Sequence, residues 1–119
     1  MQRAELIWKA GAVLTAGGIA TGAFGAHGLK AKAGITLDKI DSWKSASHYA
    51  MLNGLGLLLI SRHPRFATHW APLAIAGGAT VFSTSIFALV LDRDRFKFLG
   101  PITPMGGMAM IIGYLALAF

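Results

Sequence analysis

The sequence predicts an all-α integral membrane protein, a bundle of four transmembrane helices forming a single domain over residues 1–119. Three observations predict it. Apolar residues make up 55% of the chain and charged residues only 13%, against roughly 25% charged in a soluble domain. Mean hydropathy is +0.58. The apolar residues fall into separate long runs with short polar loops between them.

The first run covers Leu6 to Ala26, the second Ala46 to Ser61, the third Trp70 to Leu91 and the fourth Ile102 to Phe119. A helix needs about 20 residues to cross a hydrocarbon core of about 30 Å. The first and third runs meet this, and the fourth crosses with little tilt. Met1 to Phe24, with Arg3 and Lys9 ahead of the apolar stretch, has the outline of a signal peptide. It is read here as a retained span.

The second run is short, but a polar extension precedes it. Thr36 is placed to cap a helix, and Asp38 then falls in the first turn, where a negative charge suits the helix dipole. Leu37, Ile40 and Trp43 recur at helical spacing among Asp38, Lys39, Asp41 and Lys44. This is an amphipathic N-terminal extension of helix 2, lying at headgroup level and running into the span. Pro64 closes that helix, because proline disfavours helix in the residue before it. Asp92-Arg93-Asp94-Arg95 reads as the loop that ends the third helix. Thr103-Pro104 reads as cap and first residue of the fourth.

The net charge is +6 and the isoelectric point about 10.2. The basic residues flank the apolar runs, where anionic lipid headgroups hold them, so the expected partner is the lipid bilayer and not nucleic acid. The loops after helices one and three carry Lys30, Lys32, Lys39, Lys44, Arg93, Arg95 and Lys97; the opposite side carries Arg3, Lys9, Arg62 and Arg65. That imbalance places loops one and three in the cytoplasm and both termini outside. The chain has no cysteine, which excludes disulfides, thiolate catalysis and cysteine-ligated metals.

Lipid provides no hydrophobic drive for helices to meet, so close approach over small residues holds them together. Gly11, Thr15, Gly18, Gly22 and Gly25 fall on one face of helix one; Ala46, Ala50 and Gly54 line helix two. Helix three offers Gly77 and Gly78 with Ala74, Ser85 and Ala88, and helix four Gly106, Ala109, Gly113 and Ala116. These seams predict a tightly packed bundle, with part of a seam available to a partner chain.

The candidate site is a polar layer and the rim above it. Up-down connectivity brings His27, Arg93 and Thr103 to one rim, with Thr21, Asn53, Ser83, Thr84 and Ser85 about two turns inside. Such groups either tie helices together or line a polar path. His27 is the candidate proton or ligand group at the rim. His63 and His69 lack a carboxylate neighbour and make no metal pair. Proton-coupled transport needs an acidic group near a span centre, and none is present. No acid, base and nucleophile set can be assembled, and no cofactor or metal is expected.

Three motifs resemble a known family. They are Gly22-Ala23-Phe24-Gly25-Ala26-His27-Gly28-Leu29, Phe82-Ser83-Thr84-Ser85-Ile86-Phe87, and Ile102-Thr103-Pro104-Met105-Gly106-Gly107, followed by Gly113-Tyr114. Their order and spacing are similar, over almost the whole chain, to small bacterial inner-membrane proteins of unknown function typified by the YgdD protein, with mitochondrial transmembrane relatives in animals. The resemblance implies four spans and a membrane location, and no established activity. The chain departs from the family pattern at several positions, two of which bear on chemistry. Asn53 stands where a histidine is usual, and Thr84 where a glycine is usual. Asparagine hydrogen-bonds but does not titrate near neutral pH, which favours a structural role. The expected function is that of a non-enzymatic structural or accessory subunit, packing as a homo-oligomer or against a larger membrane complex. The alternative is binding or permeation of a small solute, lipid or anion through the polar layer.

Overall fold

The computed structural model describes residues 2–119; Met1, the first residue of the expected retained segment, lies outside them. Five α-helices follow in order: α1 (Gln2–His27), α2 (Leu37–Ser61), α3 (Ala71–Leu91), α4 (Arg93–Phe96) and α5 (Ile102–Leu117). Single 3₁₀ turns sit at Leu29–Ala31, Phe66–Thr68 and Lys97–Leu99, and the described residues contain no strand.

Local chemistry sets the boundaries. The Thr36 hydroxyl accepts from the Lys39 N–H at 3.2 Å, with Asp38 in the first turn, so α2 starts where the cap signal lies. Gly34 precedes it at φ +77°, a left-handed conformation that glycine adopts without a Cβ clash. The extension and the apolar run form one continuous helix. At Asp92 the expected loop is instead a one-turn helix, because the Asp92 carboxylate accepts from the Arg95 N–H at 3.3 Å and caps α4. Thr103 is not the cap of the last helix. Pro101 occupies that position, α5 begins at Ile102, and Pro104 falls third. A proline fits there because the first four helical N–H groups have no intrahelical partner. The segments 93–99 and 102–117 meet at a bend of 45°.

The helices run up and down in turn. Position by position, α1 descends along α2, and α3 along α5. Each pair is zipped by backbone contact at glycines. An alanine methyl at Gly11 would lie 2.6 Å from the Gly54 carbonyl oxygen, and one at Gly54 would lie 2.6 Å from the Thr15 nitrogen. Farther along, Gly18 leaves only 2.8 Å to the Ser47 carbonyl oxygen, and Gly25 seats the Trp43 ring. In the second pair, Gly78 and Gly106 face each other, at 2.6 Å and 2.8 Å from the opposite carbonyl oxygens, and Gly113 receives Ile75. Gly22 makes only ordinary contact with Ser47. Gly77 does not pack: nothing lies within 4 Å of a methyl placed there. One residue of helix rotates the side chain by about 100°, so Gly78 takes the α5 contact and Gly77 looks outward.

The two hairpins join through α2 and α3, which makes these the central helices. The expected tight bundle is looser on one side. α2 and α5 face each other through large side chains: Met110 reaches Asn53, and the Tyr114 hydroxyl lies over Gly56. Bulk between them holds the two helices apart.

Apolar clusters close both ends. Ile7, Leu57, Ile60 and Ile75 form one; Leu29, Ile40, Trp43 and Val90 form the other. Trp43 stacks between Phe24 and Phe87, with ring centroids 5.5 Å and 4.5 Å away. Outside, Leu6, Val13, Ile19, Leu59 and Leu73 are exposed, as side chains facing hydrocarbon should be. The long axis is 48 Å, against a hydrocarbon core of about 30 Å. Two stretches, Arg3–Ala31 and Ala71–Leu91, are long and apolar enough to cross a membrane, and a third is if the bent segments 93–99 and 102–117 count as one. α2 is not among them. Its first turns carry Asp38, Lys39, Asp41 and Lys44, and Ser47 and Asn53 follow, both buried.

Adjacent glycines give a direct check on helix rotation. Gly77→Ala should leave stability unchanged or raise it by up to ~1 kcal/mol through helix propensity. Gly78→Ala should lower it by roughly 1–3 kcal/mol, because the methyl meets backbone that cannot turn aside. Thermal unfolding in detergent micelles compares the two; equal effects would contradict the rotation of α3. By the same assay, Thr36→Ala should cost about 1 kcal/mol through loss of the α2 cap.

Candidate functional site

The polar residues of the helices divide among several contacts. Ser83, Thr84 and Ser85 are consecutive, so helix rotation sends them to three faces. The Ser83 hydroxyl donates to the Ala46 carbonyl of α2 at 2.8 Å, buried. Ser85 shares a 2.6 Å hydrogen bond with Thr103 of α5. Thr84 is exposed and donates back to the Thr80 carbonyl of its own helix at 2.5 Å. Asn53 donates through Nδ2 to the Tyr49 carbonyl at 2.7 Å and toward the Met110 sulfur at 3.1 Å. Thr21 pairs with Ser47 at 2.9 Å, and its carbonyl accepts from Trp43 Nε1 at 2.7 Å.

The expected single layer therefore does not form. Each neighbouring pair of helices instead has its own polar tie: α1 to α2 through Thr21, α2 to α3 through Ser83, α3 to α5 through Ser85, and α2 to α5 through Asn53. A satisfied polar group inside a membrane protein has no call on a solute and holds its neighbours in register. His27 is the last residue of α1 and is exposed, away from these ties. Among the described residues, no three His, Cys, Asp or Glu side chains gather to hold a metal ion.

Two partners in these ties were not visible as site residues in the sequence. Ser47 stands between Ser45 and His48 with nothing to set it apart from them, and Met110 carries no polar signal. Trp43 was visible only as part of an amphipathic stripe. Its indole N–H and the small Gly25 opposite are the features that mark it as an anchor between helices.

A surface furrow, not a polar layer, opens between the helices. Where α2 and α5 stand apart, a groove of about 680 Å³ opens over α3, lined by Tyr49, Leu52, Asn53, Phe82, Met110 and Tyr114 among others. Tyr49 and Phe82 meet edge to face across its floor, with centroids 5.3 Å apart. Toward the rim lies a second hollow of about 570 Å³, polar at its edge, with Lys39, Ser42, Arg93 and Thr103 in its wall. A third, of about 300 Å³, lies between the loop at Lys32 to Ile35 and Asp92 to Asp94. Among the described residues the one ion pair is Lys9 with Glu5, at 3.4 Å on an exposed face of α1. The rim cations thus sit near carboxylates without pairing to them.

Comparison with known proteins fits this architecture. Residues 21–107 match the family described as a protein of unknown function, DUF423; that stretch holds all three motifs, the Ser83 and Ser85 ties and the glycines of α3. A UPF0382 membrane protein of Staphylococcus aureus is 42% identical over 102 residues, covering 83% of this chain and 80% of the relative. One from Staphylococcus epidermidis is 45% identical over 103 residues, with the same shares. A UPF0382 membrane protein of the yeast Schizosaccharomyces pombe is 30% identical over 112 residues, 91% of this chain and 94% of its own. No solved structure matches the chain. On this family match and these relatives, the chain belongs to the DUF423 family, a family of membrane proteins of unknown function.

Proposed function

We propose that the chain is a non-enzymatic packing subunit of a membrane assembly, formed with copies of itself or with a larger complex. One observation carries this reading. The fold leaves a row of small residues on an outward face of α3: Gly77, Thr80 and Thr84 are exposed, and nothing lies within 4 Å of a methyl at Gly77. Thr80 and Thr84 spend their hydroxyls on carbonyls of their own helix, Ala76 at 2.8 Å and Thr80 at 2.5 Å. The face is shallow, closed to further polar demand and shaped for another helix backbone. Ala16, Gly17, Ala20 and Ala23 give α1 a similar outward row.

The same reading has all four long helices crossing the bilayer. α2, at about 1.5 Å per residue, is longer than the core is thick, and its Ser47 and Asn53 are buried inside the protein. The bilayer is the bacterial inner membrane, with the loops after α1 and α3 on the cytoplasmic side, as their excess of lysine and arginine favours. The motifs at Gly22 to Leu29 and Ile102 to Gly107 support grouping the chain with the YgdD-typified proteins and their animal mitochondrial relatives.

Crosslinking in the native membrane, then gentle extraction and native mass spectrometry, tests the assembly. A defined species larger than one chain is expected. Gly77→Leu should dissolve it while the purified monomer unfolds at an unchanged or higher temperature, since a methyl at position 77 meets nothing within 4 Å. A wild-type chain recovered only as a lone monomer, or a Gly77→Leu variant that assembles as before, would sink the proposal.

Orientation has a separate test. The chain has no native cysteine, so single replacements report cleanly. In intact cells, a membrane-impermeant thiol reagent should label Arg65→Cys, and should reach Ala33→Cys only after lysis. The reverse pattern would invert the assignment.

A further inference from the structure

The apolar groove and the polar hollow at the rim lie on the same faces of the same helices. On α2, Ser42 and Ser45 in the hollow lead at helical spacing to Tyr49 and Leu52 in the groove. On α3, Ile86 leads to Phe82, and on α5, Thr103 leads to Gly107. Residues three or four apart share a helix face, so the two hollows are successive sections of one furrow. From Lys39 to Leu52 it runs about 20 Å at 1.5 Å per residue, a little more than one leaflet of a core about 30 Å thick.

The furrow is amphipathic along its length. Its inner section is walled by aromatic and aliphatic side chains, with the Asn53 amide donating to the Tyr49 carbonyl and the Met110 sulfur. Its outer section has the hydroxyls of Ser42, Ser45 and Thr103 and two cations, Lys39 and Arg93. Neither cation is ion-paired, although Asp38 lies in the same wall. Lys39 is half-buried and Arg93 exposed, an arrangement that lets long basic side chains lie along apolar surface with their charge at headgroup level.

We propose that this furrow is a binding site for one anionic phospholipid, with its phosphate between Lys39 and Arg93 and an acyl chain laid over Phe82 toward Leu52. Charge complementarity selects this occupant. A second copy of the chain would bring the same cations to the rim and meet like charge. An uncharged helix would fill the apolar section and leave Lys39 and Arg93 unpaired. A free phosphate ester would satisfy the cations and leave the apolar section empty.

The test uses the full chain in a mild non-ionic detergent, offered dioleoyl-phosphatidylglycerol or dioleoyl-phosphatidylcholine, with retained lipid read by native mass spectrometry. The wild type should keep phosphatidylglycerol about thirty-fold better, the preference expected of two basic groups at headgroup level. The double variant Lys39→Gln, Arg93→Gln should lose that preference, retaining both lipids equally. Gly107→Leu should lower retention of both lipids. A methyl at Gly107 meets only Phe82 ring carbons, at 3.7 Å and 3.8 Å, so the first carbon fits and the rest of the leucine enters the furrow. Circular dichroism confirms that each variant is folded. Equal retention of the two lipids by the wild type, or retention unmoved by the cation substitutions, would overturn the proposal. So would displacement of phosphatidylglycerol by soluble glycerol 3-phosphate, which would assign the site to the phosphate group alone.

Discussion

Backbone touching backbone at glycine is the constraint on which this structure depends. At Gly11 with Gly54, and at Gly78 with Gly106, the facing atoms are carbonyl oxygens and main-chain nitrogens that have no rotamer to change. In hydrocarbon the helices gain nothing by hiding apolar surface from one another, so the closeness of these approaches supplies the attraction. Two antiparallel pairs follow directly. The remaining joints, α2 with α3 and α2 with α5, are made by side chains and hydrogen bonds, and they stand wider. The furrow exists because the glycines were placed in one pair of joints and not in the other.

That arrangement explains how α2 can be polar in a membrane protein. It lies between α1 and α3, so Ser47 and Asn53 never face lipid. Ser47 bonds Thr21, Asn53 bonds the Tyr49 carbonyl, and the Ala46 carbonyl receives Ser83. A hydropathy average scores these inward polar groups as if they faced lipid, although the fold has already given them partners. The charged first turns of α2 lie beside the Leu29, Ile40, Trp43 and Val90 cluster at that end of the bundle.

Much of this was legible in the sequence, and the limits have a physical source. Segment boundaries were readable where a single residue decides them, as at Thr36 with Asp38 and at Pro64. The α1 seam was readable because its glycines recur at helical spacing over many turns, which averages out errors of phase. On α3 the phase was ambiguous: Gly77 and Gly78 are neighbours, and only the helix opposite decides which is buried. The same ambiguity made Ser83, Thr84 and Ser85 look like one layer, when adjacent residues cannot share a face. Thr103 was misread because Pro101 starts the turn earlier and frees the Thr103 hydroxyl for Ser85. The furrow could not be read at all, since it is an absence of packing between α2 and α5, helices that are not adjacent in sequence.

α3 also separates the two surfaces on which function would rest. Phe82 floors the furrow, while Thr80 and Thr84, two residues to either side, lie about 200° around the helix from it. Gly77 falls on the outward side with them. A helix packed against that small-residue face therefore leaves the furrow open, and a lipid in the furrow leaves the face clear. The two kinds of occupant differ in chemistry as well as position: one face is neutral and shallow, the other deep and cationic at its end. Both can be filled at once, so a lipid laid along α2 and α5 would brace a joint that lacks backbone-to-backbone contact while α3 remains free to join an assembly.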